Sequence, residues 1–244
     1  MRGMKQFMRA TIVALAWALG SDPELQGSDP SALKVSDPNP QSSAQASAAA
    51  LDCVTIGRPK PTVTYVMNHV ESAGKTSLVT QVWERVDEQG SRLKWTGPAG
   101  SWLQVNEHHI VDDVAVLDRT SKLSLNDAPV ESTSFSRPGL VADPAFRACA
   151  GRSWQISAVT AVFQSGTLKV SSLTPSGALR IIAVRERVTV PAGTFEAVHY
   201  TRTSQFVDEY WKSLEHGVVV KHIGKVDGNT VTETLIKWGS GLVF

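Results

Sequence analysis

Beyond residue 61 the chain alternates short runs rich in Val, Thr, Ile and Trp with glycine-containing turns, and this alternation limits the fold more than any other feature. No apolar stripe with the period of a helix continues for more than about two turns. Short β segments at this spacing are typical of antiparallel sandwiches, barrels and half-barrels. The sequence therefore predicts a mainly β fold, an antiparallel meander curled into a half-barrel or open barrel, with at most one or two short helices.

The predicted strands are 62–70, 77–86, 91–96, 101–106, 110–118, 153–161, 167–173, 178–190, 194–203, 207–214, 218–226 and 230–238. Local hairpins connect the last five of them, so residues 178–238 predict a five-stranded antiparallel meander. The one helix candidate is 144–150, because Asp143 suits an N-cap and Pro144 suits the first helical position.

Three turns, at 88–90, 191–193 and 215–217, end in glycine. This is typical of a hairpin loop that closes with a left-handed glycine. Turn geometry sets the register of the flanking strands, and register sets which side chains meet. The expected cross-strand neighbours are Trp83 with Trp95, Val190 with Thr194, Arg185 with His199, Trp211 with Lys221, and Tyr210 with His222.

The N-terminus has the pattern of an export signal. Residues 1–9 contain three basic residues and no acidic one, and an apolar run follows at 10–20. A membrane-spanning helix needs about 20 apolar residues, which is more than this run provides. A basic start before a short apolar run is typical of a secretory signal peptide. We therefore interpret 1–20 as a signal peptide, with a periplasmic or secreted location and no transmembrane span; the alternative is an uncleaved amphipathic or buried helix.

The next segment, 21–60, predicts a disordered linker rich in Ser, Asp, Pro and Ala. Ser-Asp-Pro occurs three times, and the run 41–50 contains no large apolar residue. Such a segment cannot bury enough surface to offset the entropy of ordering it. Lipid attachment at Cys53 is not expected, because Leu51 and Asp52 precede it rather than small residues. The remaining chain, 61–244, is predicted to be a single β domain.

The charge and cysteine content exclude several functional classes. Lys and Arg number 24 against 23 Asp and Glu, which gives a net charge of +1. Nucleic-acid binders usually show a clear basic excess, so no nucleic-acid partner is expected. Two cysteines are too few for a cysteine-only zinc site. In an exported chain Cys53 and Cys149 would be oxidised to a disulfide, and the alternative is two free thiols.

The densest polar cluster is Glu107-His108-His109 followed by Asp112-Asp113. Two imidazoles and a carboxylate can bind a metal ion, but adjacent residues of a strand point to opposite faces. We interpret the cluster as a solvated strand end or loop, with no metal site. Of three further histidines, His199 and His222 fit cross-strand polar pairs better than a general base, and His216 is expected to be exposed at a hairpin tip.

The sequence contains no nucleophile elbow, zinc-protease motif, phosphate-binding loop or dinucleotide fingerprint. No catalytic residue and no cofactor is therefore predicted, and the chain is expected not to be an enzyme.

Six of the seven tryptophans lie in the β region, at 83, 95, 102, 154, 211 and 238. They could line an aromatic groove for an apolar or sugar ligand, and the alternative is core and cross-strand packing. The candidate ligand-binding residues are Trp83, Trp95, Trp102, Trp154, Tyr200 and Trp211.

Three C-terminal phrases carry a resemblance to a known family: Val-Thr-Val-Pro-Ala-Gly-Thr-Phe-Glu-Ala-Val-His-Tyr at 188–200, Glu-Tyr-Trp-Lys at 209–212, and His-Gly-Val-Val-Val-Lys at 216–221. They resemble the C-terminal signature of exported bacterial proteins of unknown function. The family often has a short loop with Pro and Gly after the aromatic stretch, whereas 212–217 here contains no Pro. The resemblance implies a fold like the periplasmic lipoprotein carriers, a half-barrel whose concave apolar side is plugged by helices or holds acyl chains. It implies no catalytic residue.

Three functional hypotheses follow. The first is an exported, non-enzymatic cell-envelope protein that binds an apolar or lipid-like ligand or an envelope component. The second is a protein-interaction or assembly module tethered by the 21–60 spacer, with an envelope protein as its partner. The third is a hydrolase with an unrecognised site at 107–113.

Overall fold

The computed structural model describes residues 52–97, 100–124, 128–137, 139–156, 159–165, 167–173, 177–203, 207–226 and 229–242. Within these residues the chain forms strands and turns without a helix, which confirms the predicted mainly β fold. The strands are β1 (Cys53–Thr55), β2 (Val63–Glu71), β3 (Thr76–Val86), β4 (Gly90–Thr96), β5 (Leu103–Val111), β6 (Val114–Leu123), β7 (Pro129–Phe135), β8 (Leu140–Pro144), β9 (Arg147–Cys149), β10 (Ser153–Gln155), β11 (Val159–Ser165), β12 (Thr167–Leu173), β13 (Ala178–Val190), β14 (Gly193–Thr203), β15 (Val207–Ser213), β16 (Val219–Val226) and β17 (Asn229–Ser240).

One large antiparallel sheet contains all strands except β1 and β9. Its strand order is β10-β13-β14-β15-β16-β17-β2-β3-β4-β5-β6-β7-β11-β12, and β8 pairs with β6 off this path. The end strands β10 and β12 do not pair with each other in the described residues, so the sheet is open rather than closed into a barrel. Strands β1 and β9 form a separate two-stranded sheet.

The sheet is strongly curled, because strands that are distant in its order share a core. Val116 of β6 belongs to the same buried cluster as Ile181 of β13, although eight strands separate β6 from β13 in the sheet order. Val54 of β1 and Ala148 of β9 pack in that cluster as well. The small β1–β9 sheet therefore fills part of the concave side.

A second core joins the middle of the sheet to the β13–β14 hairpin. It contains Trp83 and Leu93 of β3 and β4, together with Phe195 of β14 and Leu235 of β17. Leu235 is completely buried, and Trp83 is 9% exposed. Burial of this apolar surface is the main source of stability, at about 25 cal/mol per Å².

The meander predicted for 178–238 is confirmed, because β13 to β17 are consecutive neighbours in the sheet. Two cross-strand pairs predicted across the 215–217 turn are also confirmed, although a bulge between Trp211 and Lys212 pairs Lys212 with Val219 nearer the turn. Tyr210 lies opposite His222, and Trp211 lies opposite Lys221. Gly217 has φ +63°, and a Cβ there would lie 2.0 Å from the Gly57 carbonyl oxygen, so this turn requires glycine.

The registers predicted across the first two turns are wrong. Trp83 lies opposite Leu93, two residues from its predicted partner: the turn already pairs Val86 with Ser91, one residue off the prediction, and a bulge between Trp83 and Arg85 shifts the register by one more. Trp95 lies opposite Gln81. In the second hairpin the loop is tighter than predicted, so Val190 pairs with Gly193 rather than with Thr194. Bulges shift the register without changing the alternation of residue types, which is why the sequence did not reveal them.

The second hairpin also contains bulges, and these overturn the predicted pairing of Arg185 with His199. His199 lies opposite Ala183, after a shift between Ala183 and Glu186. Its Nδ1 is 2.9 Å from Glu186 Oε2, and its ring stacks on Trp211 with centroids 4.3 Å apart.

The helix predicted at 144–150 is also wrong. Pro144 ends β8, and residues 147–149 form β9. Strand β1 takes the backbone hydrogen bonds that a helix would use: Ile56 N donates to Phe146 O, and Ala150 N donates to Asp52 O. Pairing with β1 also buries Ala148, which is fully inaccessible. Tertiary pairing here overrides the local N-cap pattern.

The predicted boundary between linker and domain lies too late in the sequence. Residues 53–55 form β1, and Ile56 is 1% exposed in the core. The predicted signal peptide and the part of the predicted linker up to residue 51 lie outside the described residues. Among the residues that the structure does describe, no helix is long and apolar enough to cross a membrane.

Candidate functional site

Four of the six predicted ligand-binding side chains lie within the two cores. Trp83 and Trp211 are 9% and 6% exposed and belong to the core around Leu235, against which Trp95 also packs. Tyr200 is 1% exposed in the other core. These side chains contact other core residues and leave little surface for a ligand.

Trp154 packs against the core that contains Tyr200, and Trp102 lies elsewhere. Trp154 Nε1 donates a hydrogen bond to Asp112 O at 3.2 Å, and the Arg152 guanidinium lies 4.7 Å from the Trp154 ring centroid. Trp102 lies directly against Gly97, where a Cβ would be 2.2 Å from its Nε1. The structure therefore does not bring the six predicted residues together at one site.

A small cavity, of about 20 Å³, lies beside Trp83 of β3 and Ala115 of β6. Trp83, Ser91, Asp143 and Lys212 are among its lining residues. Lys212 is 5% exposed, and its Nζ donates to Asp143 Oδ2 at 2.5 Å and to Pro144 O at 2.6 Å. This volume has room for about one water molecule. An acyl chain does not fit in it.

His108 lies on the same side of β5 as this cavity. Its Nδ1 is 3.4 Å from Ser91 Oγ. Burial lowers the pKa of His108, so its imidazole is neutral near pH 7. The nearby cavity has room for about one water molecule and is too small to admit a substrate.

A much larger cleft opens at the rim of the sheet, with a volume of about 870 Å³. One wall is the β13–β14 turn with Ala192 and Phe195, and the other is the hairpin at 214–216. Val54 and Thr55 of β1 lie at one end, and Trp238 of β17 at another. Clefts of about 300–1,000 Å³ are typical of small-molecule sites.

Three rings form an aromatic cluster in this rim cleft. Phe195 lies 5.6 Å from Trp238 and 6.0 Å from His216, measured between ring centroids, and His216 lies 5.2 Å from Trp238. Phe195 is 7% exposed, whereas Trp238 is 37% exposed. An indole with this exposure, supported by two packed rings, presents an apolar surface to the cleft.

Charged side chains border the same cleft. Arg185, Glu196 and Glu215 line it and are exposed. Glu215 Oε1 lies 3.8 Å from His216 Nε2. In the described residues, Arg185 and Glu196 form no ion pair. The cleft therefore combines exposed aromatic surface with charged side chains of both signs.

The sequence singled out Trp238 only as one of six tryptophans, and it did not indicate Phe195 or His216 as site residues. The sequence feature that could have indicated these two residues is their position beside turns: Phe195 follows the Pro-Ala-Gly-Thr phrase, and His216 precedes Gly217. In the sequence, these turns indicate only the register of the flanking strands. Their position at one rim of the sheet could not be inferred from spacing alone.

A buried polar row crosses the sheet away from the cleft. Tyr200, Tyr210, His222, Glu233 and His69 are successive cross-strand neighbours on β14, β15, β16, β17 and β2. Tyr210 stacks on Tyr200 and on His222, with centroid distances of 5.0 and 4.4 Å. Glu233 binds both imidazoles: its Oε1 is 2.9 Å from His69 Nδ1, and its Oε2 is 3.1 Å from His222 Nδ1.

This row makes stability depend on pH. Burial alone would raise the pKa of Glu233, but the hydrogen bonds with His222 and His69 outweigh it and lower the pKa from 4.5 to about 2. The hydrogen bond to Glu233 raises the pKa of His69 above 6.5. The Glu233 contribution is therefore lost as pH falls from 4.5 towards 2, and the His69 contribution is lost as pH rises through its raised pKa.

We expect Glu233→Gln to remove both the loss of stability at low pH that Glu233 causes and the loss at higher pH that His69 causes. Wild-type stability should be greatest between about pH 4.5 and 6.5, the ordinary pKa values of the two groups. The variant should be less stable throughout that window and show a flatter profile. Urea unfolding from pH 3 to 8 measures this, with Glu215→Gln, whose side chain is 82% exposed, as the control. Parallel profiles for wild type and Glu233→Gln would contradict the assignment.

The polar cluster at 107–113 is divided among separate contacts. Residues 107–109 lie in β5 rather than in a loop, and His109 Nδ1 is 2.7 Å from Asp118 Oδ1. Asp112 and Asp113 form the following turn, with φ of 52° and 64°. Arg152 binds both carboxylates and lowers the pKa of Asp112. The described residues contain no group of three or more side chains placed to hold a metal ion.

The predicted disulfide is confirmed. Cys53 of β1 is bonded to Cys149 of β9, 96 residues later in the chain. The two residues are also direct cross-strand neighbours. The bond fixes β1, and with it Val54 and Thr55, at one end of the rim cleft.

Comparison with known proteins gives little further information. No family model matches the chain, and no curated protein matches it. One similar solved structure is that of a "putative lipoprotein" from Parabacteroides distasonis, with 12% sequence identity and a TM-score of 0.42. The similarity covers 77% of this chain and 100% of that chain. The function of the chain must therefore be inferred from its own residues.

Proposed function

We propose that this protein is exported to the cell envelope and binds an apolar or lipid-like ligand in the rim cleft. The observation that carries the proposal is the aromatic cluster of Phe195, His216 and Trp238 in a cleft of about 870 Å³. Trp238 keeps 37% of its surface exposed there. Covering that surface with an apolar ligand removes it from water, which is favourable by about 25 cal/mol per Å².

The geometry favours an elongated amphipathic ligand. Its apolar part would lie on Phe195 and Trp238, which pack together in the cleft. A polar end would reach Arg185 or Glu196 at the edge. Ligand sites commonly combine an apolar lining with a few polar groups that fix orientation.

Three observations support export. The Cys53–Cys149 disulfide is typical of oxidising compartments such as the periplasm or the extracellular space. The basic and apolar residues of 1–20 have the pattern of a signal peptide. The phrases at 188–200 and 216–221 resemble those of exported bacterial proteins.

A ligand titration tests the proposed site. N-phenyl-1-naphthylamine, an uncharged apolar dye, should bind the full-length protein saturably. Trp238→Ala should weaken binding roughly tenfold, because loss of about 1.4 kcal/mol of apolar contact corresponds to that factor in Kd. Trp102→Ala is the matched control, since Trp102 lies against Gly97 rather than in the cleft.

Mass spectrometry of organic extracts from the purified protein is a second test. We expect an amphipathic compound in the wild-type extract and less of it from Trp238→Ala. If both extracts are empty and the dye does not bind saturably, the proposal is wrong.

A second candidate function, assembly with an envelope protein, is favoured by the outer edge of β12. Within the described residues this end strand pairs with β11 alone, and Val170 is 66% exposed in it. An unpaired edge can accept a strand from a partner. A photo-crosslinker at position 170 should then give one discrete adduct in envelope fractions, and a crosslinker at the exposed Glu215 should not give that adduct.

A further inference from the structure

We propose that Gly57 positions the hairpin wall of the rim cleft, and that the Cys53–Cys149 disulfide anchors Gly57 in this role. The hairpin wall consists of residues 214–216, which line the cleft. Gly57 is not one of the described residues that line the cleft, so it acts through the hairpin rather than on a ligand. The effect on ligand affinity rests on the function proposed above, whereas the positioning of the wall does not.

The backbone of Gly57 lies directly against the hairpin. Its N–H donates a hydrogen bond to the Leu214 carbonyl oxygen at 2.6 Å. A Cβ on Gly57 would lie 2.0 Å from the Glu215 carbonyl oxygen, and a Cβ on Gly217 would lie 2.0 Å from the Gly57 carbonyl oxygen. Two backbones that approach this closely leave no room for a side chain between them. Any side chain at position 57 must therefore displace the hairpin or the segment that carries it.

The hairpin connects Gly57 to the aromatic cluster of the cleft. Leu214 N donates to Glu196 O at 2.9 Å, so backbone hydrogen bonds lead from Gly57 through Leu214 to the opposite wall. His216 lies two residues after Leu214, and its ring centroid is 5.2 Å from that of Trp238. A displacement of the hairpin therefore moves the His216 ring relative to the Trp238 indole.

The disulfide anchors Gly57 from the other side. Cys53 is bonded to Cys149, and the short β1–β9 ladder continues as Ile56 N donates to Phe146 O at 2.8 Å. Ile56 is 1% exposed, and Gly57 is the next residue. The bond, the ladder and the burial of Ile56 together hold Gly57 against the hairpin.

Ligand affinity depends on this position because a ligand in the cleft contacts both walls. Binding geometry has to be held within about 0.5 Å to be productive. A gap of about 0.5–1 Å already removes a quarter to a half of the dispersion attraction between two surfaces. A hairpin wall that shifts by this amount therefore loses much of its contact with the ligand.

The variant Gly57→Ala tests the positioning role. Neither Gly57 nor Gly90 has φ in the left-handed range, so alanine adds only a methyl group at either position. Gly90→Ala is the matched control, because its Cβ would lie 2.2 Å from the His108 carbonyl oxygen, away from the cleft. We expect Gly57→Ala to weaken binding of N-phenyl-1-naphthylamine roughly fivefold or more, and Gly90→Ala to stay within about twofold of wild type.

The indole N–H signals of the ligand-free, ¹⁵N-labelled proteins give a second measurement. Gly57→Ala should shift the Trp238 signal and leave the Trp95 signal in place, because Trp95 packs against the core. Gly90→Ala should leave the Trp238 signal in place. A general loss of stability would not select Trp238 in this way.

The double variant Cys53→Ser and Cys149→Ser tests the anchor without adding any atom beside the hairpin. It should weaken dye binding roughly threefold or more and shift the Trp238 signal in the same direction as Gly57→Ala. If this variant keeps wild-type affinity and an unmoved Trp238 signal, the disulfide does not anchor Gly57.

The combined results decide the proposal. Gly57→Ala with the affinity of Gly90→Ala and an unmoved Trp238 signal would overturn it. If Gly57→Ala does not fold, the double serine variant decides through the same two measurements. If the wild type does not bind the dye saturably, the proposed function fails, and the Trp238 signals of the ligand-free proteins still decide whether Gly57 positions the wall.

Discussion

Replacing both Cys53 and Cys149 by serine should lower the free energy of unfolding by about 3–5 kcal/mol. The bond closes a loop with a sequence separation of 96 residues, and in the chain-entropy model a loop near that length contributes more than 4 kcal/mol. Strands β1 and β9 have three residues each and, within the described residues, pair with one another in a separate two-stranded sheet. Without the bond, β1 is held by this short ladder, by the hydrogen bond from Gly57 N to Leu214 O and by burial of Val54 and Ile56.

Urea unfolding of the oxidised wild type and the double variant measures this effect. A reducing agent should bring the wild type close to the double variant and should leave the double variant unchanged. A loss below about 1 kcal/mol would mean that β1 is held by its packing, and that the disulfide contributes little. In that case the entry of the chain beside the rim cleft would not depend on the bond.

Replacing Lys212 by methionine should lower the free energy of unfolding by a similar amount, roughly 3–5 kcal/mol. The Lys212 side chain is 6% exposed and bound to Asp143, whose side chain is 21% exposed. Removing the lysine leaves a largely buried carboxylate and the Pro144 carbonyl without their donor. An unpaired buried charge costs far more than the net contribution of the intact pair.

A double-mutant cycle separates the cost of leaving one charge unpaired from the net contribution of the intact ion pair. The variant Lys212→Met with Asp143→Leu should recover most of the stability lost in Lys212→Met, because no charge remains unpaired. Arg119→Met is the matched control: its ion pair with Glu107 is half-exposed and should contribute less than about 1 kcal/mol. If Lys212→Met is no more destabilising than Arg119→Met, the buried pair does not have the role assigned to it.

The sequence predicted the strand order of the C-terminal meander and two cross-strand pairs of its β15–β16 hairpin, because these depend on turns that are encoded locally. Gly217 needs a positive φ, and its hairpin places Tyr210 and Trp211 opposite their predicted partners. The disulfide was predictable because the chain has two cysteines and a signal-like start. The information in the turns lies within a few neighbouring residues.

Long-range features were not predictable in the same way. The bulge beside Trp83 shifts a register without any residue that marks it. β9 was predicted as helix because its partner β1 lies 96 residues earlier, measured from Cys53 to Cys149, and this pairing decides its conformation. The rim cleft joins Phe195 to Trp238 only after the sheet has curled. A sequence pattern carries residue types, whereas curvature depends on how the whole sheet packs.

The tryptophan indole resonances provide the most direct test of ligand binding at the rim. If the ligand binds in the rim cleft, titration of N-phenyl-1-naphthylamine into ¹⁵N-labelled full-length protein shifts the Trp238 Nε1–H signal saturably. The signals of Trp83, Trp95 and Trp211, which belong to or pack against the core, should stay in place. Saturable shifts of these core indoles with Trp238 unmoved would place the ligand inside the curled sheet and contradict binding at the rim.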